Sequence, residues 1–412
     1  MRVLILTPGY PPLPGGGERY VQALAAHLAQ QAVDVTVVTS HAARERDLWR
    51  GEDGAVAHSL EGNVTVIRCP IRPFPGGWNG LLAYRKLMVL LSLLPGDQSI
   101  LLQRMARAIP PIRRLPETLA ALPGAFDLVH GFNISWEQAM LTGWRYARQQ
   151  GIPFAATPFM HFGAGADRVA RNSTMDHQLA MLRTAGRVLV LTGLEQDGLC
   201  AVGVPAKNIV VIGGGVDAPP AVQAAADLPA GPYVIFVGRA SHDKGAIHAA
   251  QAVLALRGQG TTVNLIMVGQ STPEFDHFYH HLSPEQQMGI RPLGILDDGQ
   301  KHGLLQHAAC LVLPSRIDSF GMVLLEAWAH GVPVIGAQAG GIPAVIDDEQ
   351  NGLLVPFGDV PALTKALSRL LTDPPLRQRL GACGRDKIQQ MYNWEATAVR
   401  VLTQYRCLLQ ET

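Results

Sequence analysis

At 412 residues the chain exceeds the size over which one hydrophobic core keeps growing, so two domains of about 200 residues each are expected. Its 34 basic and 33 acidic residues leave a formal charge of +1, which excludes the global field that gathers nucleic acid and makes any basic patch local. Five widely scattered cysteines, with no C-x-x-C pair and no metal-ligand spacing, point to a reducing, cytoplasmic setting rather than a disulfide framework.

In chain order, residues 2–6 read as a short apolar strand of the kind buried in a parallel sheet. Thr7-Pro8-Gly9 cuts the run off, leaving it too short for the apolar core of a signal peptide. A Pro/Gly loop over 8–17 ends in Gly15, Gly16 and Gly17. Glu18 then opens a helix whose apolar Val21, Leu24, Ala25 and Leu28 recur at helical spacing, and 35–39 is the next strand. Strand, glycine loop, helix, strand is the opening of a nucleotide-binding α/β fold. The three glycines let backbone come close to a ligand, or serve simply as a turn.

Residues 72–116 change character. They are rich in leucine and carry seven basic residues, Arg72, Arg85, Lys86, Arg104, Arg107, Arg113 and Arg114, against a single acid, Asp97. Such helices suit the wall of a cleft with solvated arginines, or alternatively an anionic membrane surface. The longest apolar segment, 87–94, is interrupted by Ser92 and stopped by Pro95-Gly96, so nothing is long enough to cross a bilayer.

Strands are expected at 126–130 and 154–157. The second runs into P-F-M-H-F-G, which puts His161 at a strand exit, where open parallel sheets collect ligands; His130 reads as structural. A strand at 188–191, a helix starting around 192–195 and a strand at 209–212 complete a first domain, and linker composition begins at Asp217. A strand at 233–237 opens the second domain. The motif G-R-A-S-H-D-K-G at 238–245 follows it, with Gly238 and Gly245 shaping a loop that carries Arg239 and Lys244, chemistry suited to a diphosphate. A strand at 264–268 and a loop at Gly269-Gln270 come next. His277, His280 and His281 lie in a polar helical stretch with no second carboxylate at ligand spacing and read as surface rather than a metal site.

The strand at 310–313 feeds the most informative stretch, P-S-R-I-D-S-F-G-M-V-L-L-E-A-W-A-H-G-V-P-V-I-G-A-Q-A-G-G at 314–341. A helix should begin near 319–321, run over 322–330 and stop at Gly331, with Pro333 as a breaker and 333–335 as the next strand. Its first turn, around Ser319, Phe320, Gly321, Met322 and Val323, presents unpaired N–H groups and the positive end of the helix dipole, and Gly321 has no Cβ to hold a ligand off. Glu326 shares the face of Met322 and Val323, about one helical turn further along. A phosphate at the helix start therefore leaves an attached ribose level with a carboxylate that can accept both its hydroxyls. A second helix start is expected after Gly340-Gly341, and helices over 363–371, 376–390 and 394–409.

Asp318 and Glu326, eight positions apart around S-F-G and followed by G-V-P-V-I and A-G-G-I-P, resemble the donor-site signature of retaining glycosyltransferase family 4. The resemblance runs nearly end to end through G-G-G-E-R (15–19), D-L-V-H (127–130), G-R-A-S-H-D-K-G and N-G-L-L-V (351–355). Two departures stand out: Asp318 where the family usually has Glu, and G-G-G-V-D (213–217) where P-N-G-V-D is usual. The resemblance implies the GT-B fold, two Rossmann-like doubly wound parallel-sheet domains facing across a cleft. Residues 1–217 would take the acceptor and 218–393 the donor, with the helix from 394 to 412 packing back on the first domain.

The resemblance further implies transfer of a sugar from a nucleotide-diphosphate donor, such as a UDP- or GDP-sugar, to a hydroxyl acceptor: a glycan, lipid-linked molecule or small glycoside. His161 would lie near the donor sugar, and Gly16 and Gly17 near the diphosphate and acceptor. The reaction would proceed on one face of the sugar with the departing diphosphate helping to deprotonate the acceptor, and without cofactor or metal. Arg239, Lys244 and the helix start at 321–323 would stabilise the leaving group, and Asp318 would complete the catalytic set. A peripheral contact with the inner membrane face through 72–116 is the open partner question. A phosphorylase or epimerase of the same architecture, or a non-catalytic nucleotide-sugar-binding partner, would share the phosphate site.

Overall fold

The computed structural model describes residues 1–163, 169–219 and 231–411, so most of the expected linker lies outside the described residues. The chain forms two compact units. One comprises Met1–Met160, Arg168–Gly213 and Trp394–Thr412, and the other His161–Asp167 and Gly214–Asn393. The division at Gly213 falls a few residues before the expected one at Asp217. It also assigns the short segment starting at His161 to the second unit.

The first unit is built on β1 (Arg2–Leu6), β2 (Asp34–Ser40), β3 (Ala57–Glu61), β4 (Val64–Cys69), β5 (Leu128–Phe132), β6 (Phe154–Thr157), β7 (Arg187–Val190) and β8 (Ile209–Val211). They lie in the order β3-β4-β2-β1-β5-β6-β7-β8, parallel except for the β3–β4 hairpin. The second sheet contains β9 (Tyr233–Val237), β10 (Asn264–Val268), β11 (Ile290–Gly294), β12 (Cys310–Leu313), β13 (Val334–Ala337) and β14 (Gly352–Val355), in the order β11-β10-β9-β12-β13-β14 and wholly parallel. That is the 3-2-1-4-5-6 order of a doubly wound nucleotide fold, in which the strand order reverses between the first and fourth strands and opens a crevice at their carboxyl ends. Here the switch lies between β9 and β12. The loops leaving those two strands carry G-R-A-S-H-D-K-G and P-S-R-I-D-S-F-G.

The central strands are buried on both faces, which is why they read as unbroken apolar runs rather than alternating ones: Val3 to Leu6 and Val234 to Phe236 are all inaccessible. Against the second sheet the Ala246–Gly258 helix sets Ala249, Ala250, Val253 and Leu256. The hairpin β3–β4 and the strands β11 and β14 were not expected. β3 is exposed over 57–60, and β11 is exposed at Pro292 and Leu293, so no buried periodicity marks these two strands.

The closing helix, Trp394–Glu411, belongs to the first unit and buries Trp394, Ala398, Val401, Leu402, Tyr405 and Leu408 along one stripe. Trp394 meets Tyr20 of the Gly16–Gln30 helix edge to face, with centroids 5.0 Å apart. The Tyr405 hydroxyl lies 2.6 Å from Nδ1 of His130, and the His130 Nε2 lies 2.8 Å from Thr157. Burial holds the His130 pKa down to about 3, so this histidine is a neutral structural link.

Candidate functional site

The Met322–Ala329 helix starts where the sequence places it. Gly321 is its N-cap with φ 82° and ψ 57°, a left-handed conformation that favours glycine, and Gly331 follows the C-cap with φ 71°. Leu324, Leu325, Ala327 and Trp328 are buried, while Met322, Val323 and Glu326 stay partly accessible on one face. Phe320 is buried against Tyr392, edge to face at 5.3 Å. Ser319 is partly accessible, immediately before it.

The two loops at the switch point are stitched together. Arg316 donates to the Asp243 carboxylate at 2.8 Å, and its backbone N–H donates to the Asp243 carbonyl at 3.0 Å. Gly245, at φ 73°, sits so close to Pro314 that a Cβ there would lie 2.2 Å from the proline carbonyl oxygen. This stitching brings the Lys244 ammonium to 2.6 Å from Asp318 Oδ1. Burial would raise the Asp318 pKa, but the Lys244 charge and hydrogen bond, the Ser315 hydroxyl and nearby His161 outweigh it and hold the carboxyl below its ordinary value. Asp318 Oδ2 is buried and accepts no hydrogen bond among the described residues. Gly238 and Arg239 leave β9 beside the same loop, with Arg239 partly accessible. Gly340 and Gly341 complete the floor: the N–H of Gly341 donates to the Asp318 carbonyl at 2.7 Å, and a Cβ there would lie 1.9 Å from the Ser319 carbonyl oxygen. The Gly340 N–H donates to the Gly163 carbonyl at 2.9 Å, which anchors the short segment carrying His161.

One side chain in this site had no sequence signal. Lys301, 8 % exposed, reaches Glu326 from the Asp298–Leu305 helix, its ammonium 2.6 Å from Oε2, as an ion pair rather than an aligned hydrogen bond. Neighbouring His302 Nδ1 lies 2.8 Å from His330 Nε2, at the end of the Glu326 helix. Burial, then the charges of His302 and Arg385, pull His330 down to about 4.

In the first unit the glycine loop differs in detail from expectation. Gly16 and Gly17 are the first two residues of the helix, with Gly15 as N-cap. Gly16 is exposed. Gly17 leaves room for the Phe159 ring, 3.3 Å from where its Cβ would be, and Gly9 and Gly15 leave room for the Glu18 carboxylate. Burial pushes that carboxyl up to about 7, offset by its own backbone N–H and helped by Glu45.

Phe159 is left-handed, φ 54°, an uncommon state for a residue with a Cβ. The turn is held by Glu195, a 2 % exposed carboxylate that accepts the Met160 N–H at 2.7 Å and the Leu191 N–H at 2.9 Å, while Thr192 caps the Glu195 N–H. It thus ties together the exits of β6 and β7, one residue before His161. Burial raises its pKa to about 8 despite both hydrogen bonds.

Of the basic residues in 72–116, Arg85 is committed to a buried pair with Glu137 at 2.5 Å, and Arg113 pairs with Asp53 at 3.1 Å. His277, His280 and His281 are exposed, and the described residues contain no cluster of three or more metal-type ligands.

Two doubly wound sheets, with loops converging at the switch point of the second, define a two-domain α/β protein of the sugar-transferring GT-B class. Solved structures agree in fold. Sucrose-phosphate synthase from Thermosynechococcus elongatus superposes with a TM-score of 0.75 at 22% identity over 100% of both chains. Anabaena HepE in complex with UDP and glucose gives 0.66 at 18% identity, over 98% of both. The model described as "Glycosyl transferase 4-like domain" matches residues 15–215, and that described as "Glycosyl transferases group 1" matches 224–387. The chain belongs to the group 1 glycosyltransferases of the family 4 type, and is a transferase. A D-inositol 3-phosphate glycosyltransferase of Saccharomonospora viridis is 29% identical over 314 residues, 69% of this chain and 70% of that protein. A glycogen synthase of Mycobacterium tuberculosis is 30% identical over 200 residues, 48% of each chain.

Proposed function

We propose that the protein moves a sugar from a UDP- or GDP-sugar to a hydroxyl acceptor with retention of configuration, its second unit holding the donor. The observation that carries this reading is the convergence of Arg239, Lys244, Asp318 and the Gly321-capped helix start at the carboxyl ends of β9 and β12, with Glu326 one turn along the same helix. HepE, of the same fold, was captured with UDP and glucose.

The donor diphosphate lies on the N–H groups of 321–323. An ammonium has three protons, so Lys244 keeps two for phosphate oxygens while it holds Asp318. As the bond to the sugar breaks, negative charge grows on the diphosphate, where Lys244, Arg239 and the helix dipole already stand, so no metal is called for. The leaving oxygen takes the acceptor's proton on the same face. Asp318 Oδ2 and His161 face the donor sugar, and Glu326 takes the ribose. Gly16 and Gly17, in the first unit, approach the donor diphosphate and the acceptor. The five free cysteines fit a reducing, cytoplasmic setting.

Thermal-shift screening of UDP-, GDP- and ADP-sugars selects the base, since a ligand at 100 times its Kd stabilises by about 2.7 kcal/mol. Transfer by the selected donor to an acceptor panel, with the product anomer read by NMR, then tests the rest. An inverted product refutes retention. Release of sugar 1-phosphate only with added phosphate identifies a phosphorylase instead.

A further inference from the structure

The helices Gly77–Leu91 and Ser99–Met105 form a hairpin whose inner side is firmly held. Leu81, Met88 and Leu102 are buried, Arg85 pairs with buried Glu137, and the Tyr84 hydroxyl donates to the Met105 carbonyl at 3.2 Å. Asp176 clasps the turn: its N–H donates to the Ser92 hydroxyl at 3.0 Å and its carboxylate accepts the Gln98 N–H at 3.2 Å.

The outer side is apolar and, among the described residues, largely exposed; Trp78 also meets the Trp49 ring, with centroids 4.7 Å apart. On the first helix Trp78, Leu82 and Leu90 recur at multiples of four residues and stand out from the surface, Leu90 at 62 % exposure, with Leu87 beside them. The turn adds Leu93 and Leu94, and the second helix adds Ile100, 73 % exposed, and Leu101. Eight large apolar side chains within 78–101 exceed what a monomeric surface ordinarily shows in one place. Lys86 continues the Trp78–Leu82–Leu90 stripe, and Arg104 shares the exposed face of Ile100 and Leu101. Arg72, just before the first helix, Arg107, just after the second, and Arg114 are exposed as well. The local acid, Asp97, is turned to the backbone N–H of Ser99 at 2.8 Å.

We propose that this hairpin is a docking surface for an anionic lipid bilayer, its leucines entering the interfacial layer and its five exposed cations meeting lipid phosphates. Charge decides between bilayer and second copy: a two-fold self-contact would set the same cations against each other, whereas an anionic leaflet neutralises them. The ties to Glu137 and Asp176 pre-form the surface, so little ordering entropy opposes binding. The inference is independent of which donor or acceptor the site takes.

The test is sedimentation of the full chain with vesicles of phosphatidylcholine alone or mixed equally with phosphatidylglycerol, at low and high salt, with light scattering on the free protein. Wild type should pellet with the anionic vesicles at low salt, be released as salt screens the charges, and leave phosphatidylcholine vesicles largely unoccupied. Arg104→Gln with Arg107→Gln should weaken partitioning about fivefold per charge. Leu90→Ser with Leu94→Ser should weaken it about tenfold or more. Both variants change exposed side chains, so melting temperatures matching wild type confirm that folding is intact. Indifference of the wild type to anionic vesicles overturns the proposal. So does a concentration-dependent dimer that the leucine variant dissociates without any vesicle binding, which would assign the surface to a second copy.

Discussion

Replacing Glu195 by Gln should change the pH dependence of stability in a way that no simple loss of a contact would. The carboxyl titrates at about 8 in the folded chain against an ordinary 4.5, so its contribution is full below 4.5 and lost as pH rises through 8. At about 1.36 kcal/mol per pH unit, the window between those values amounts to at most about 5 kcal/mol. Near pH 5 the protonated carboxyl serves both N–H groups, from Met160 and Leu191. Glutamine must turn its amide nitrogen toward one of them, and the variant should be less stable by about 1–3 kcal/mol. By pH 8 the wild type bears the cost of a buried charge and glutamine does not, so the difference should shrink and then reverse. Urea unfolding at pH 5, 6.5 and 8 measures it, and every other titrating group cancels in the comparison. Amide exchange at Met160 and Leu191 reports which N–H has lost its acceptor. A penalty that stays constant, or grows with pH, would refute the reasoning and mean that the two N–H donors hold the carboxylate charged throughout.

Lys244→Met should strand a buried carboxylate at Asp318 and cost about 3–5 kcal/mol, most of it recovered by adding Asp318→Asn. The lysine change should also lower turnover about 100-fold or more, and a variant with wild-type kcat would remove Lys244 from the leaving-group site. Glu326→Gln should weaken ribonucleotides while barely affecting 2′-deoxy analogues, measured by calorimetry. Lys301→Met should reproduce part of that selectivity by releasing Glu326, and an equal loss for both ligand types would place the carboxylate elsewhere. Tyr405→Phe should leave His130 Nδ1 unpartnered and lower stability by about 1–3 kcal/mol at pH 7. Because the His130 pKa is depressed to about 3, its neutral-state contribution is present above 6.5 and lost as pH falls, so acid titration of wild type should show the loss beginning there.

The parts legible in the sequence are those written in local chemistry. Strands buried on both faces appear as apolar runs, and β1, β6, β9, β10 and β12 match their expected limits. Gly321 and Gly331 fix the ends of the Glu326 helix through backbone geometry, which is local by nature. Side-chain pairings between distant segments are not written that way. Lys301 and Glu326 are 25 residues apart, and nothing near either one announces the other. Arg85 and Arg113 count as surface cations by composition, yet each faces an acid 50 or more residues away. The glycines at 15 and 17 read as openings for a ligand, whereas the Glu18 carboxylate and the Phe159 ring fill those spaces. The loop's glycines are the same under either reading; only the neighbours tell them apart.

The closing helix carries a consequence for how the protein is made. A ribosome releases the first unit's sheet early, but Trp394 and Tyr405, which cover Tyr20 and His130, emerge only after all of 214–393. Domains ordinarily fold in the order in which they are synthesised. Here the later unit holds all of its own sequence while the earlier one still waits for its last eighteen-residue helix. A chain that stalls or is cut before Trp394 should therefore carry a finished second unit and an open first one, with an apolar seam along the Gly16–Gln30 helix for chaperones and proteases to find.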